Sequence, residues 1–387
     1  MILLYELVQS GASHAPFTRA FTQTMAAAFP GQPISIHAHP THLREAFAES
    51  DARLDACLTQ EPIPQTITSP TAIAPVLRVL SRTYRPVRAS EPLVVVLTGQ
   101  PQHIWAAKLF QRAMPGFRCH LVLHGDIHHL RPPYRRNPVA YLTDWFASIA
   151  YANRPGIRFL VLEPHIKASV ARHVPKIGPY MDAIHHPCSP APAAWGEDAG
   201  VPPGPLRFAI VGIAGKAKGL DVFARLALRT RAATGDAAEF RLVGKVQRGW
   251  RDLDLGGISG PLPFTEEWLP RAAFEDELRR LHYIVLPYSM DYYAYAASGV
   301  LLDALRWRKP VIAFRVPPVQ ELADRFGDVG YLCASEDEMA ATVERLATHF
   351  DPARYAAQRD NLDRAYRSRL PEAVAAECRD VLHTGGA

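Results

Sequence analysis

At 387 residues the chain is too long for one comfortable hydrophobic core, so two or three domains are expected. Its 48% hydrophobic and 21% charged residues read as an ordinary soluble globular protein. The net charge of +5 permits attraction to phosphates, nucleic acid or an anionic membrane, but no nucleic-acid module or interleaved basic-aromatic motif is present, so polynucleotide binding is not expected.

The apolar run at 1–11 is too short for a membrane span and lacks a basic leader or a small-residue cleavage site, so it reads as a first buried strand. The five cysteines, Cys57, Cys119, Cys188, Cys333 and Cys378, are scattered without zinc or disulfide spacing, which suits a reducing cytoplasm. A loop from Gly11 through Ser13 to His14 then leads into a helix over 16–29, followed by a strand at 34–37 and a helix from Thr41. A strand at 93–98 precedes a helix over 101–114. The strand at 119–123 runs into the polar loop His124-Gly125-Asp126, and one at 159–162 precedes a helix at 166–173. Short apolar runs between amphipathic helices indicate βαβ units and a parallel sheet buried on both faces.

The stretch 188–205, rich in Pro, Ala and Gly, has linker composition. A second α/β series follows, with strands at 208–211, 240–243, 284–286 and 310–313, and helices at 219–233, 273–281 and 298–306. Two doubly wound domains facing a central cleft is the economical architecture, with ligands expected at the carboxyl ends of the strands. The expected division is an acceptor-binding domain at 1–187, a linker at 188–205 and a nucleotide-binding domain at 206–370. The segment 371–387 is then a C-terminal helix that can cross back to the first domain.

Two segments of the second half carry chemistry. One is Val211-Gly212-Ile213-Ala214-Gly215-Lys216-Ala217-Lys218-Gly219-Leu220-Asp221, a Gly-rich turn with two lysines after a strand. The other runs from the strand end at Tyr288 through Ser298-Gly299-Val300 to Asp303 and on to Arg308-Lys309-Pro310-Val311-Ile312-Ala313. A helix that opens on Ser-Gly presents free N–H groups and a positive dipole end to an anion, and a diphosphate is a natural occupant. Lys216 and Lys218 also suit solvated positions at a helix start, and Ser298 suits a plain N-cap.

These segments resemble the C-terminal domain of GT-B glycosyltransferases, in particular the large retaining family that includes bacterial polysaccharide-biosynthesis enzymes. The resemblance is specific over 206–325 and extends to the first half in layout alone. It implies a GT-B fold and transfer of a sugar from a nucleoside diphosphate sugar to an acceptor hydroxyl on a glycan or lipid-linked saccharide. No metal ion is implied. It further implies that Gly212, Lys216, Lys218, Tyr288, Ser298, Gly299 and Val300 lie at the nucleotide diphosphate and Asp303 at the ribose. Departures from the family pattern are Ile213, where it has arginine, and Tyr295 and Asp303, where it has glutamates. Tyrosine, with an unperturbed pKa of about 10, is no anion at neutral pH. Either Asp291, in the preceding loop, takes over the sugar contact, or this branch of the family positions its donor sugar differently.

In the first half, His124 and Asp126 follow a strand end and are candidates to deprotonate or orient the acceptor hydroxyl, while Gly11, Ser13 and His14 are candidates to approach the diphosphate or acceptor. A structural polar loop is the competing reading of both segments, and no zinc signature fits them. Asp252-Leu253-Asp254 is a coincidental Asp-x-Asp. The basic run 129–136, followed by Tyr141, Trp145 and Phe146, is either a solvated loop or a peripheral contact with an anionic membrane at the cytoplasmic face. Other classes consistent with the residues are a nucleotide-sugar epimerase of similar architecture and a non-catalytic binding protein.

Overall fold

The computed structural model describes residues 1–125, 127–130, 141–190, 204–250, 253–259 and 269–383. Asp126, Asp252, the basic run 131–136 and most of the 188–205 stretch lie outside the described residues.

The chain divides into two compact units. Unit 1 comprises Met1–Ser189, Tyr295–Ala297 and Arg369–Ala387, and unit 2 comprises Pro190–Ala294 and Ser298–Ser368. Unit 1 holds a parallel sheet of β1 (Ile2–Glu6), β2 (Ile34–Ala38), β3 (Leu58–Pro62), β4 (Leu93–Val96), β5 (Cys119–Val122), β6 (Ile157–Leu162) and β7 (Met181–Ile184), in the order β3-β2-β1-β4-β5-β6-β7. Every residue of β1 and β2 is buried, as expected where helices cover both faces. The edge strand β3, Leu-Thr-Gln-Glu-Pro, is mostly exposed and polar, and its hydrogen bonding to β2 rather than its own hydropathy makes it a strand.

The C-terminal helix Pro371–His383 belongs to unit 1, where Val374, Ala375, Cys378 and Leu382 enter the same core as Phe21 and Met25 of the helix Ala15–Ala28. The cysteine here is a plain core residue, with Cys378 Sγ 3.8 Å from Met25 Sδ.

Unit 2 holds β8 (Leu206–Ala214), β9 (Ala238–Val246), β10 (Tyr283–Leu286), β11 (Val311–Phe314) and β12 (Gly330–Cys333), parallel and ordered β12-β11-β10-β8-β9. Chain order reverses between β8 and β10, which makes the carboxyl ends of these two strands the topological switch point where ligands of open α/β sheets bind.

Candidate functional site

The carboxyl ends of β8 and β10 carry most of the expected second-half residues. Past β8 the chain makes a one-turn 3-10 helix, Lys216–Lys218, before the helix Leu220–Thr234. Three amides at its end bond within the turn: Lys218 N and Leu220 N donate to Gly215 O at 3.1 and 3.2 Å, and Gly219 N to Lys216 O at 3.0 Å.

Lys216 is exposed, whereas Lys218 folds inward and its Nζ donates to Val211 O at 2.7 Å. This path needs Gly212, whose φ of 83° is left-handed and whose missing Cβ leaves the space that the Lys218 ammonium occupies. Gly219, with φ 68°, likewise lets the turn close on the Pro287 carbonyl. Burial lowers the Lys218 pKa to about 8, against the opposing pull of Asp303. Burial raises that of Asp303, opposed by Arg271, Arg306 and Lys218.

Past β10 the chain is not a loose loop. Ser289 N donates to Ala217 O at 3.0 Å, which ties it to the lysine turn, and Met290–Tyr293 forms a single helical turn that presents Asp291 to solvent. Tyr293 folds back so that its ring lies on Tyr288, with centroids 3.6 Å apart and planes 4° apart. The Tyr288 hydroxyl is 2.8 Å from Ser298 Oγ, and burial holds the phenol well above its ordinary pKa, so it stays a neutral hydrogen-bonding group.

Ser298 caps the helix Gly299–Arg306, its Oγ accepting from Leu301 N at 3.1 Å, while Leu302 N donates to Ser298 O at 3.2 Å. The amides of Gly299 and Val300 remain at the helix opening, next to the positive end of the dipole. Ser298→Ala removes the cap and the partner of a buried phenol. The expected loss is about 1–2 kcal/mol of stability, seen as a lower urea midpoint at unchanged m-value.

Tyr295 is not part of this group. The Tyr295–Ala297 segment packs with unit 1, where the buried Tyr295 ring lies 6.0 Å from His173 and Ala297 adjoins the core. An apolar Tyr-Ala-Ala run gains more from that core than from exposure at a strand end.

In unit 1 the structure brings together His14 and His124, 110 residues apart, with their Nδ1 atoms at 3.3 Å. Phe17 and His186 close around the His124 ring, with centroids at 4.5 and 5.7 Å. Burial first, then the neighbouring imidazoles, holds His124 well below its ordinary pKa, and burial lowers His14 and His186 to about 4. At neutral pH these rings are uncharged hydrogen-bonding groups and weak bases. His124 is therefore suited to orient a hydroxyl rather than to take its proton. Ser13 is half-buried beside His14.

The Gly11 loop is held by two residues that no sequence pattern marks. Gly11 N donates to Thr41 Oγ1 and His42 Nδ1 donates to Gly11 O, both at 3.0 Å. Glu6, fully buried at the end of β1, accepts from Val8 N, Gln9 N and Thr98 Oγ1 at 2.7–3.0 Å and fixes the start of the same segment. Glu163, after β6, has a left-handed φ of 149° and is ion-paired with the buried Arg369, and His186 N approaches its carboxylate at 3.3 Å.

The fold is similar throughout to a glycosyltransferase from Rickettsia africae (TM-score 0.66, 10% identity, 99% of this chain and 98% of that one). It is also similar to HepE from Anabaena in complex with UDP and glucose (TM-score 0.64, 13% identity, 99% and 100%). Sucrose-phosphate synthase from Thermosynechococcus elongatus is a third such structure (TM-score 0.63, 14% identity, 99% of each chain). The chain has the GT-B fold. No curated protein matches its sequence. Residues 206–349 match the model of the family described as glycosyl transferases group 1.

Proposed function

We propose that the protein transfers a hexosyl group from a nucleoside diphosphate sugar to an acceptor hydroxyl on a glycan or lipid-linked saccharide, without a metal ion. The observation that carries this reading is the convergence, at the switch point of unit 2, of the inward-folded Lys218 and the Ser298-capped helix opening. Both bear positive charge where a diphosphate leaving group gains negative charge, and electrostatic stabilisation of that kind accelerates the transfer step. The bond from the anomeric carbon to the diphosphate oxygen breaks and one to the acceptor oxygen forms. The acceptor proton goes to the departing phosphate or to a base. Asp303 is suited to ribose hydroxyls, and the absent side chain of Gly212 leaves room for the Lys218 ammonium on a side that Val300 also adjoins. In unit 1, His124 and His14 are the acceptor-side groups.

The reading is tested by thermal shift against UDP, GDP, ADP and dTDP and their hexoses. At least one nucleotide raises the melting temperature, because a ligand of the native state stabilises it, and no shift with any of them contradicts the reading. The Lys218 value sets a pH dependence. A diphosphate favours the protonated ammonium, so affinity is highest below about pH 8 and falls by up to about tenfold per unit above it. Calorimetric titration on both sides of that value checks this, and a flat profile removes Lys218 from the contact.

Among the described residues no helix is long and apolar enough to cross a membrane. We further propose a cytoplasmic protein in peripheral contact with an anionic membrane. In support, Leu109, Tyr141, Leu142 and Tyr151 of unit 1 are exposed, and Lys176 Nζ stands 4.5 Å over the Tyr151 ring. Co-sedimentation with phosphatidylglycerol vesicles at low salt, lost in Tyr141→Ser/Tyr151→Ser, is the expected result. Equal sedimentation of the wild type with neutral vesicles contradicts it.

A further inference from the structure

Tyr288, expected at the nucleotide diphosphate, is only 2% exposed, and its hydroxyl lies 2.8 Å from Ser298 Oγ. The phenol therefore meets the residue that caps the helix opening. The bonds on Ser298 Oγ can be counted. A serine hydroxyl has one hydrogen to give and two lone pairs to offer. One lone pair takes the Leu301 amide at 3.1 Å. Burial keeps the hydrogen on the Tyr288 phenol at neutral pH, and in a pair of this kind the phenol is the better donor and the alkyl hydroxyl the better acceptor. Tyr288 thus takes the second lone pair. The hydrogen of Ser298 is then what Oγ has left to offer, next to the amides of Gly299 and Val300 where the helix Gly299–Arg306 begins.

The Tyr288 ring is also clamped. Tyr293, 4% exposed, covers its face with centroids 3.6 Å apart, and the Tyr292 ring meets Tyr293 edge-on at 5.1 Å. Overlap this complete is less favourable than an offset stack, so the backbone holds it in place. Tyr293 N donates to Ser289 O at 3.0 Å, and Ser289 N in turn to Ala217 O at 3.0 Å, which roots the clamp in the lysine turn.

We propose that Tyr288 is a positioning residue. By filling the second lone pair of Ser298 Oγ it turns that hydroxyl into a fixed donor, which joins the two helix amides in binding a phosphate oxygen, and Tyr293 holds Tyr288 in this role. Donation from phenol to serine to phosphate runs in one direction, so each bond strengthens the next. Without the phenol the serine hydroxyl rotates and turns a lone pair toward the anion for part of the time. The proposal deepens the reading of this strand end as a diphosphate site and rests on it.

The test compares the full chain with Tyr288→Phe, Tyr293→Leu, Ser298→Gly and the two double variants that combine each tyrosine change with Ser298→Gly, with melting curves to show that each folds. Phenylalanine keeps the stacked ring and loses only the hydroxyl. Glycine loses the serine hydroxyl and remains a good N-cap. Affinities for UDP, GDP, ADP and dTDP are measured by calorimetry. For a nucleotide that the wild type binds, Tyr288→Phe raises Kd by about three- to tenfold, the effect of one oriented hydrogen bond, and Tyr293→Leu raises it at least about twofold. In the Ser298→Gly background the same two changes move Kd by less than about twofold, because no hydroxyl is left to orient. Equal losses in both backgrounds mean that the tyrosines touch the ligand or only support the fold, and they overturn the proposal. An unchanged Kd in Tyr288→Phe overturns it as well. Failure of the transferase reading looks different: the wild type then binds none of the four nucleotides, and the proposal falls with that reading.

Discussion

Lys218→Ala lowers kcat for sugar transfer by about 100- to 1000-fold, the cost of removing one preorganised charged donor from a developing anion. Three features of its setting lead to this expectation. The ammonium is turned inward onto Val211 O at 2.7 Å, it occupies space that only a glycine at 212 leaves free, and burial has brought its pKa down to about 8. A lysine that serves only solubility has no such provision. Lys216→Ala is the internal control: this side chain is exposed, and its loss costs less than about tenfold because solvent screens exposed charge. Steady-state kinetics of the two variants separate the roles. Equal, small losses in both place the phosphate contact elsewhere.

The second large effect is on stability. Arg369→Met leaves the Glu163 carboxylate buried without its cation, and breaking a buried pair in this way costs about 3–5 kcal/mol. For a unit of this size the melting temperature falls by about 10 °C. The double variant Glu163→Gln/Arg369→Met removes both charges and recovers most of the loss. The pair also restrains Glu163 at a φ of 149°, a conformation that side-chain-bearing residues avoid and that is kept only when the surroundings over-determine it. Differential scanning calorimetry of the three proteins gives the result directly. A single variant as stable as the wild type means that water reaches the carboxylate.

The parts of the fold written in local pattern are legible from the residues. Ile2–Glu6 and Val311–Phe314 are short apolar runs that only a doubly covered parallel sheet buries, and Ser298 before Gly299 announces both the cap and the helix opening. What escapes local reading is made by tertiary partners. Leu58–Pro62 looks like a loop until β2 pairs with it. The strand β12, Gly330–Cys333, is as long as β11 but opens on glycine and has no β-branched residue, so it does not stand out before β11 pairs with it at the edge of the second sheet. The same holds for the candidate sites. Lys216 and Lys218 are neighbours in sequence yet differ in role, because Gly212 admits one of them and not the other. His14 meets His124, Gly11 meets His42, and Glu163 meets Arg369 across 110, 31 and 206 residues, separations at which no spacing rule operates. Tyr295 illustrates the same point, since its apolar neighbours carry it into unit 1 although the residues on either side of 295–297 belong to unit 2.

The central claim is that a nucleoside diphosphate binds at the β8 and β10 strand ends of unit 2. Hydrogen exchange of the backbone amides, with and without the nucleotide that gives the largest thermal shift, tests it most directly. Protection confined to 216–219 and 298–301 is the predicted result. Protection that spares both segments, or appears only in unit 1, contradicts it.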